Sequence, residues 1–440
     1  VDQSRRRGAG GIVLSRHNLG TICEGLNSLG MKMTHRSGFS LHALLLLACV
    51  TACHVVAQEP ESLFRFIYNS DGGNIFIEKA PPMMPDDVYR YVDEVAGKGV
   101  TSYFVCPNYG MPLMYRGKVT ETIGDLLPPG QLEKVMKAGR EQAMTSDRAI
   151  VNLRALIDAG YDPIGLVLDR AKAKGMEAFV TWRLNEIHDV ENGDTSLIVS
   201  KFWREHPEWR VGKLGDPLDP IFTEIIGPRT HPIVGSWFPA AMNFAVPEVR
   251  ALRLMELREC CERYPQLDGL DLDFQRFPIY FPQKEGEKSI ATMTAWLREV
   301  RVMTRDVGEK RGRPIVLSAR VLTSPEQNRA IGLDPIAWAN EGLVDFLVVS
   351  HYLHNNFPLK LQPFRDAIPA AMPLYASIEV ESDSKTYVEI AKQLKAENAD
   401  GIAMFNFFTG RENAKEPPFD VLPELAAIFR ANANVEKTNK

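Results

Sequence analysis

From residue 64 onward the chain alternates two hydrophobic rhythms. Short apolar runs rich in β-branched and aromatic residues occupy 64–68, 101–106, 176–182, 269–274, 314–320, 345–350, 373–379 and 401–407. Runs this short and this apolar predict strands covered on both faces. The segments between them have helical patterns with readable ends. Pro85 to Lys98 opens on proline and acidic residues and stops at Gly99, Asp147 to Ala159 stops at Gly160, and Asp162 to Lys174 stops at Gly175. Proline suits a first helical turn, and glycine ends a helix because it enters the left-handed region without a Cβ penalty. Further helices are predicted from Pro247 to Arg263, Gly286 to Lys310, Asp334 to Glu341, Lys385 to Glu397 and Pro423 to Ala431. Eight strand-then-helix repeats predict an α/β fold, a (β/α)8 TIM barrel spanning 58–432.

Two connections break the rhythm, 107–146 after the second strand and 183–246 after the third. Both leave the carboxyl end of a strand, the face on which such barrels build their sites, so they read as long βα-loop insertions that shape a cleft. The longer carries Trp203, Trp209, Phe222, Trp237 and Phe238. These rings either stack on sugars or close a small core of the insertion itself.

Residues 41–57, LHALLLLACVTACHVVA, form the long apolar stretch of the amino terminus, behind Lys32, His35 and Arg36. They are too few to span a bilayer, which takes about 20 residues. With Val55 and Ala57 before Gln58, they read as a secretory signal, so that 1–57 is an over-extended start plus signal peptide and the mature chain begins near Gln58. Met31 and Met33 stand where such a signal begins, and Leu46 to Cys49 and Val50 to Cys53 resemble lipoprotein cleavage boxes, which makes Cys49 or Cys53 a candidate lipid anchor. The expectation is an exported protein, periplasmic, secreted or lipid-anchored. Residues 433–440 read as a polar tail. Composition narrows the classes further: 51 Lys plus Arg against 56 Asp plus Glu leave a net charge of −5, which argues against a nucleic-acid partner, and 45% hydrophobic residues argue against disorder. Cys106, Cys260 and Cys261 remain in the mature part and read as buried thiols rather than a disulfide framework.

The densest chemistry lies in Leu267-Asp268-Gly269-Leu270-Asp271-Leu272-Asp273-Phe274-Gln275-Arg276-Phe277-Pro278. Strand side chains alternate between faces, so Leu270, Leu272 and Phe274 point to the helices while Asp271, Asp273 and Gln275 point into the barrel. Two like charges on one inward face raise at least one pKa, a cost met where catalysis or a buried arginine calls for it; Asp271, the deeper, can pair with Arg320. The seventh strand likewise leaves Tyr375, Ser377 and Glu379 inward, with Glu381 a substitute two positions on. Asp273 and Glu379 then flank the mouth. One carboxylic acid to protonate a leaving oxygen and one carboxylate as nucleophile or base is what glycoside cleavage needs; for Glu379 a salt-bridged rim residue is the alternative. Other strand ends supply Arg183, Asn185 and His188, then Arg276, Arg320, His351, Tyr352 and Asn406 as substrate-positioning candidates, with Tyr68-Asn69-Ser70-Asp71 closing the first strand. No cofactor or metal is expected. Asp271, Asp273, His188 and His351 could together hold a divalent ion, but zinc-type histidine spacings are absent, and Asp71-Gly72-Gly73-Asn74 lacks the phosphate-loop glycine spacing.

The run Asn243-Phe244-Ala245-Val246-Pro247-Glu248-Val249-Arg250, followed by Arg263-Tyr264, by Asp268-Gly269-Leu270-Asp271-Leu272-Asp273 and by Arg276-Phe277-Pro278, resembles the bacterial glycosyl-hydrolase-like family ten. The likeness continues more weakly through Trp338, Gly342-Leu343-Val344-Asp345 and His351-Tyr352. It implies an exported (β/α)8 hydrolase of glycans whose strand-four acid is Asp273, with Asp271 its inward neighbour. The family's Asp-Asp-Tyr is here Asp273-Phe274-Gln275, a change that bears on substrate more than reaction. The same acidic run resembles family-eighteen chitinases, but their catalytic Glu falls on Gln275, which has no proton to give. The expectation is a glycosidase acting on an extended polysaccharide or oligosaccharide, with a non-catalytic carbohydrate-binding barrel and a metal-dependent hydrolase as alternatives.

Overall fold

The computed structural model describes residues 64–127, 130–227, 232–353, 359–379 and 384–430. The signal segment, Cys49, Cys53, Glu381 and the polar tail lie outside the described residues. Eight parallel strands form one closed barrel in chain order: β1 (Phe66–Ser70), β2 (Ser102–Val105), β3 (Glu177–Arg183), β4 (Gly269–Asp273), β5 (Val316–Leu322), β6 (Phe346–Ser350), β7 (Leu374–Ile378) and β8 (Gly401–Phe405). Pairing of β8 with β1, Ile402 opposite Phe66 and Phe405 opposite Asn69, closes the ring. Each strand falls on one of the eight apolar runs. The helices Pro247–Arg263 and Gly286–Lys310 begin and end where the sequence places them.

Alternation along each strand sorts the side chains. Leu270, Leu272, Leu317, Ala319, Leu347, Val349, Leu374, Ala376 and Ile378 pack outward into one large core with the helices. Inward residues change character with height. At the amino-terminal end the barrel is filled by Ile67, Phe104, Phe179, Phe346 and Tyr375, with Phe104 stacked on Phe179 at 4.4 Å between ring centroids. A Cβ at residue 269 would overlap the Phe179 ring, so the glycine of the Asp-Gly-Leu-Asp run is a packing requirement of this apolar plug. Above the plug the inward positions are polar: Thr181, Asp271 and Ser318, then Arg183, Asp273, Arg320 and Glu379.

The connection from β3 to β4 holds short helical segments, among them Lys201–Glu205, Pro220–Ile226 and Pro232–Trp237, before the long helix Pro247–Arg263. Trp203, Phe222 and Phe238 are buried, and Trp203 Nε1 donates to the Ala240 carbonyl at 2.8 Å. These three rings therefore build the insertion's own core and do not form a sugar platform. Trp209 stacks on His206 at 3.6 Å, and Trp237 meets His188 edge-on at 5.7 Å. A helix the pattern did not predict, Leu132–Glu141, packs in the β2 connection. Cys106, Cys260 and Cys261 are free and buried.

Candidate active site

β4 and β7 stand with β5 and β6 between them, and their carboxyl ends are joined by a single side chain from β5. Arg320 Nη1 donates to both carboxylate oxygens of Asp273 at 3.2 Å, and its Nη2 donates to Glu379 Oε1 at 2.9 Å. The two acids thus meet across the width of one guanidinium, which itself lies 3.8 Å over the Phe405 ring of β8. Asp273 is 1% exposed and Glu379 4%. One cation shared between two buried carboxylates sets burial against attraction, and the proton equilibrium registers the balance. Burial pushes the Glu379 carboxyl up, Arg320 and Arg276 oppose this, Asp273 adds to it, and the result lies at about 7.

Asp271, one layer deeper, does not pair with Arg320. Thr181 and Ser318 donate hydroxyl hydrogen bonds to it at 2.7 and 2.6 Å, and burial, with Asp273 nearby, still raises it to about 6. Both hydroxyls come from neighbouring strands at the same height, so the register of β3 and β5 on β4 decides this contact. Asp271 is thus held within the buried polar layer, each of its carboxylate oxygens accepting from a hydroxyl.

Above the carboxylates opens a polar cleft of about 560 Å³ whose lining includes Asp71, Asn108, Tyr109, Arg183, His188, Arg276, Asn406 and Glu412. Asp273 and Glu379 are not part of that lining. They lie beneath it, linked through Asn406, whose amide approaches Glu379 Oε2 at 3.5 Å. Arg183 approaches Asp71 at 3.8 Å and Glu186 at 3.4 Å. Glu186 also contacts His188 Nδ1, and the His188 backbone N–H donates to it at 2.9 Å. Burial alone would raise Glu186, but its own contact with His188 and the nearby charges of Arg183 and Arg276 hold it well below the usual carboxylate range. Arg276 Nη2 lies 2.9 Å from His188 Nε2. A guanidinium can only donate, so Nε2 accepts and the imidazole proton sits on Nδ1 toward Glu186.

The sequence-predicted residues thus divide into three groups. Arg183, His188, Arg276 and Asn406 line the cleft. Asp273, Glu379 and Arg320 form the buried triad below it. Of the remaining four, Asp271 sits in the polar layer already described, and Asn185, Tyr352 and His351 lie outside the lining. Asn185 is fully buried, with its amide nitrogen donating to the Met242 and Ile279 carbonyls at 3.0 and 2.5 Å and its oxygen accepting from the Met242 N–H at 2.9 Å. Its polar atoms are spent bracing the insertion against β4. Tyr352 is buried between Phe238 and Phe277, and His351 is half-buried and outside the lining. Among the described residues no three His, Cys, Asp or Glu side chains group to hold a metal ion. Asp271 is instead occupied by hydroxyls, and His188 by Glu186 and Arg276.

Strand alternation did not single out Glu186 and Glu412. Glu186 sits in the polar run after β3, so a signal existed. Glu412 follows β8 in the 3-10 segment Phe407–Asn413, where no periodicity marks it. Crowding by the cleft wall, with Asp71 close by, raises its carboxyl to about 7 although it keeps solvent contact.

No protein-family model matches the chain, and no curated protein matches it, so the family-ten resemblance rests on the motif residues alone. Solved structures do align with it. A GH5_18 protein from Streptomyces cattleya in complex with GlcNAc aligns at 12% identity over 83% of this chain and 80% of its own, with a TM-score of 0.47. A maltogenic alpha-amylase from Thermotoga neapolitana aligns at 10% over 85% and 77%, with a TM-score of 0.42. A GH18 chitinase from Pseudoalteromonas aurantia aligns at 10% over 83% and 99%, with a TM-score of 0.37. At these values the likeness is one of barrel topology, and the site reading does not rest on it.

Proposed function

We propose that the chain is a glycoside hydrolase that binds a glycan in the cleft at the carboxyl end of the barrel. The observation that carries the reading is the pair Asp273 and Glu379, brought from two strands onto one guanidinium under a polar cleft, with the Glu379 carboxyl pushed up to about 7. Glycoside cleavage requires a carboxyl still protonated near neutral pH to donate to the leaving oxygen, and an ionised partner to act as nucleophile or to activate water. In this reading Glu379 is the acid and Asp273 the carboxylate. Arg320 orients both, while Arg183, His188, Arg276 and Asn406 hold the sugar. The reading requires the sugar ring to reach the triad past Arg276 and Asn406. Export belongs to the same proposal, supported by the apolar segment 41–57.

A second pair is favoured by a different observation: Asp71 and Glu412 line the open cleft themselves, with Glu412 the protonatable member. Four variants decide between them. Asp273→Asn and Glu379→Gln should each lower the release of reducing ends from a glycan panel by about 10² to 10⁴, while Asp71→Asn and Glu412→Gln retain most of it. The reverse pattern assigns the chemistry to the rim pair. A wild-type protein that binds glycans and releases no reducing ends from any of them is a carbohydrate-binding barrel, and loss of activity to a chelator would point to a metal-dependent hydrolase.

A further inference from the structure

Three arginines stand at the barrel mouth, and their charges are met differently. Arg320 is matched by Asp273 and Glu379, and Arg183 by Glu186 with Asp71 beyond it. Arg276 is only 8% exposed, yet among the described residues it has no carboxylate in ion-pair contact. Its Nη2 meets His188 Nε2, and its Nε is buried without a hydrogen-bond partner. The Phe277 and Phe405 rings, 5.3 and 6.0 Å away, give it partial electrostatic support. A guanidinium withdrawn from water without a counter-ion in contact is costly, and the cost falls when a carboxylate docks on its fork of N–H groups. Arg276 also lines the cleft, so the missing counter-ion can be supplied by whatever the cleft binds.

We infer that the glycan bound in this cleft carries a carboxylate on its sugar, a hexuronosyl residue, and that Arg276 is the residue that receives it. This deepens the glycosidase reading and rests on it for the identity of the ligand as a glycan. A carboxylate attached directly to a pyranose ring is rigid, so little freedom is lost when its two oxygens engage a guanidinium that is already fixed. Asp71 and Glu412 line the same cleft without an ion pair to Arg276, though Arg276 is near enough to oppose the rise of the Glu412 carboxyl, so the cleft offers groups of both signs. The acid group of the sugar is thereby assigned to the Arg276 guanidinium, and hydroxyls to Asp71 and Glu412, where a second carboxylate would be repelled.

The test is calorimetric binding of α-1,4-galacturonate and β-1,4-mannuronate oligosaccharides, each against its carboxyl-reduced counterpart, on the full chain carrying Asp273→Asn so that turnover does not intervene. At least one acidic oligosaccharide should bind about tenfold or more tightly than its neutral counterpart, and Arg276→Gln should bring that ratio to near one. If neither acid outbinds its reduced form, the inference is overturned on the Arg276-intact protein alone, without depending on how the Arg276→Gln variant folds. A preference that survives in a folded Arg276→Gln protein overturns it equally. Binding preference and cleavage are read separately: an acid preference without any reducing ends released sinks the hydrolase reading and leaves this one standing.

Discussion

The buried triad makes a quantitative prediction about stability. In Glu379→Gln the side chain keeps its size and its ability to hydrogen-bond Arg320 but can no longer ionise. In the native protein the carboxyl is raised from its ordinary 4.5 to about 7, a preference for the neutral form worth about 3 kcal/mol. The sign follows from proton linkage: between those two values the folded state holds a proton that the unfolded state has released, so this group's contribution is fully present below about 4.5 and is lost as pH rises through about 7. The variant has no such loss. Its stability relative to wild type should therefore improve by about 3 kcal/mol between pH 4 and pH 8, whatever the offset at either end. With an unfolding entropy of about 2 cal/mol/K per residue over about 370 residues, that is a relative gain of about 4 °C in melting temperature. Scanning fluorimetry of both proteins across this range reads the difference directly, since the other ionisable groups are common to both. Parallel profiles would show that folding leaves the Glu379 carboxyl at its ordinary value near 4.5, and with it the assignment of Glu379 as the acid would fall.

Other perturbations follow from the same geometry. Arg320→Met leaves Asp273 and Glu379 facing each other without their cation and should cost about 3 to 5 kcal/mol near pH 8 by denaturant titration, with a smaller loss at pH 5, where Glu379 takes up a proton; a pH-independent loss would mean the guanidinium serves only as filler. Gly269→Ala forces a methyl into the Phe179 ring and should destabilise by about 1 to 3 kcal/mol or more, a result that a thermal scan within 1 °C of wild type would refute. Asn185→Ala strands the Met242 N–H and the Met242 and Ile279 carbonyls in the interior and should cost about 1 to 3 kcal/mol, with limited proteolysis cutting first in the insertion after β3. If Glu379 is the acid, the activity of wild type should fall on an alkaline limb near pH 7, and an unchanged rate from pH 6 to pH 9 would contradict the role.

Strand alternation was enough to send Asp271, Asp273, Gln275 and Glu379 inward, because a closed barrel gives each side chain one of two faces and the apolar neighbours Leu270, Leu272, Leu374 and Ile378 can only take the outer one. The eight strands and the longest helices were legible for a related reason: burial against two layers leaves an apolar signature, and proline and glycine mark helix ends through local backbone sterics. Height inside the barrel was not legible. Whether Arg320 meets Asp271 or Asp273 depends on the stagger between β4 and β5, and only the closed ring shows that Arg320 reaches Asp273 and crosses to Glu379 while two hydroxyls take Asp271. Nor could the sequence show that Asn185 faces the insertion's backbone, that Trp203 and Phe238 fill a core, or that Glu412 returns to the cleft beside Asp71. Those placements are contacts between segments far apart in the chain, and local pattern carries no record of which distant partner a polar atom will find.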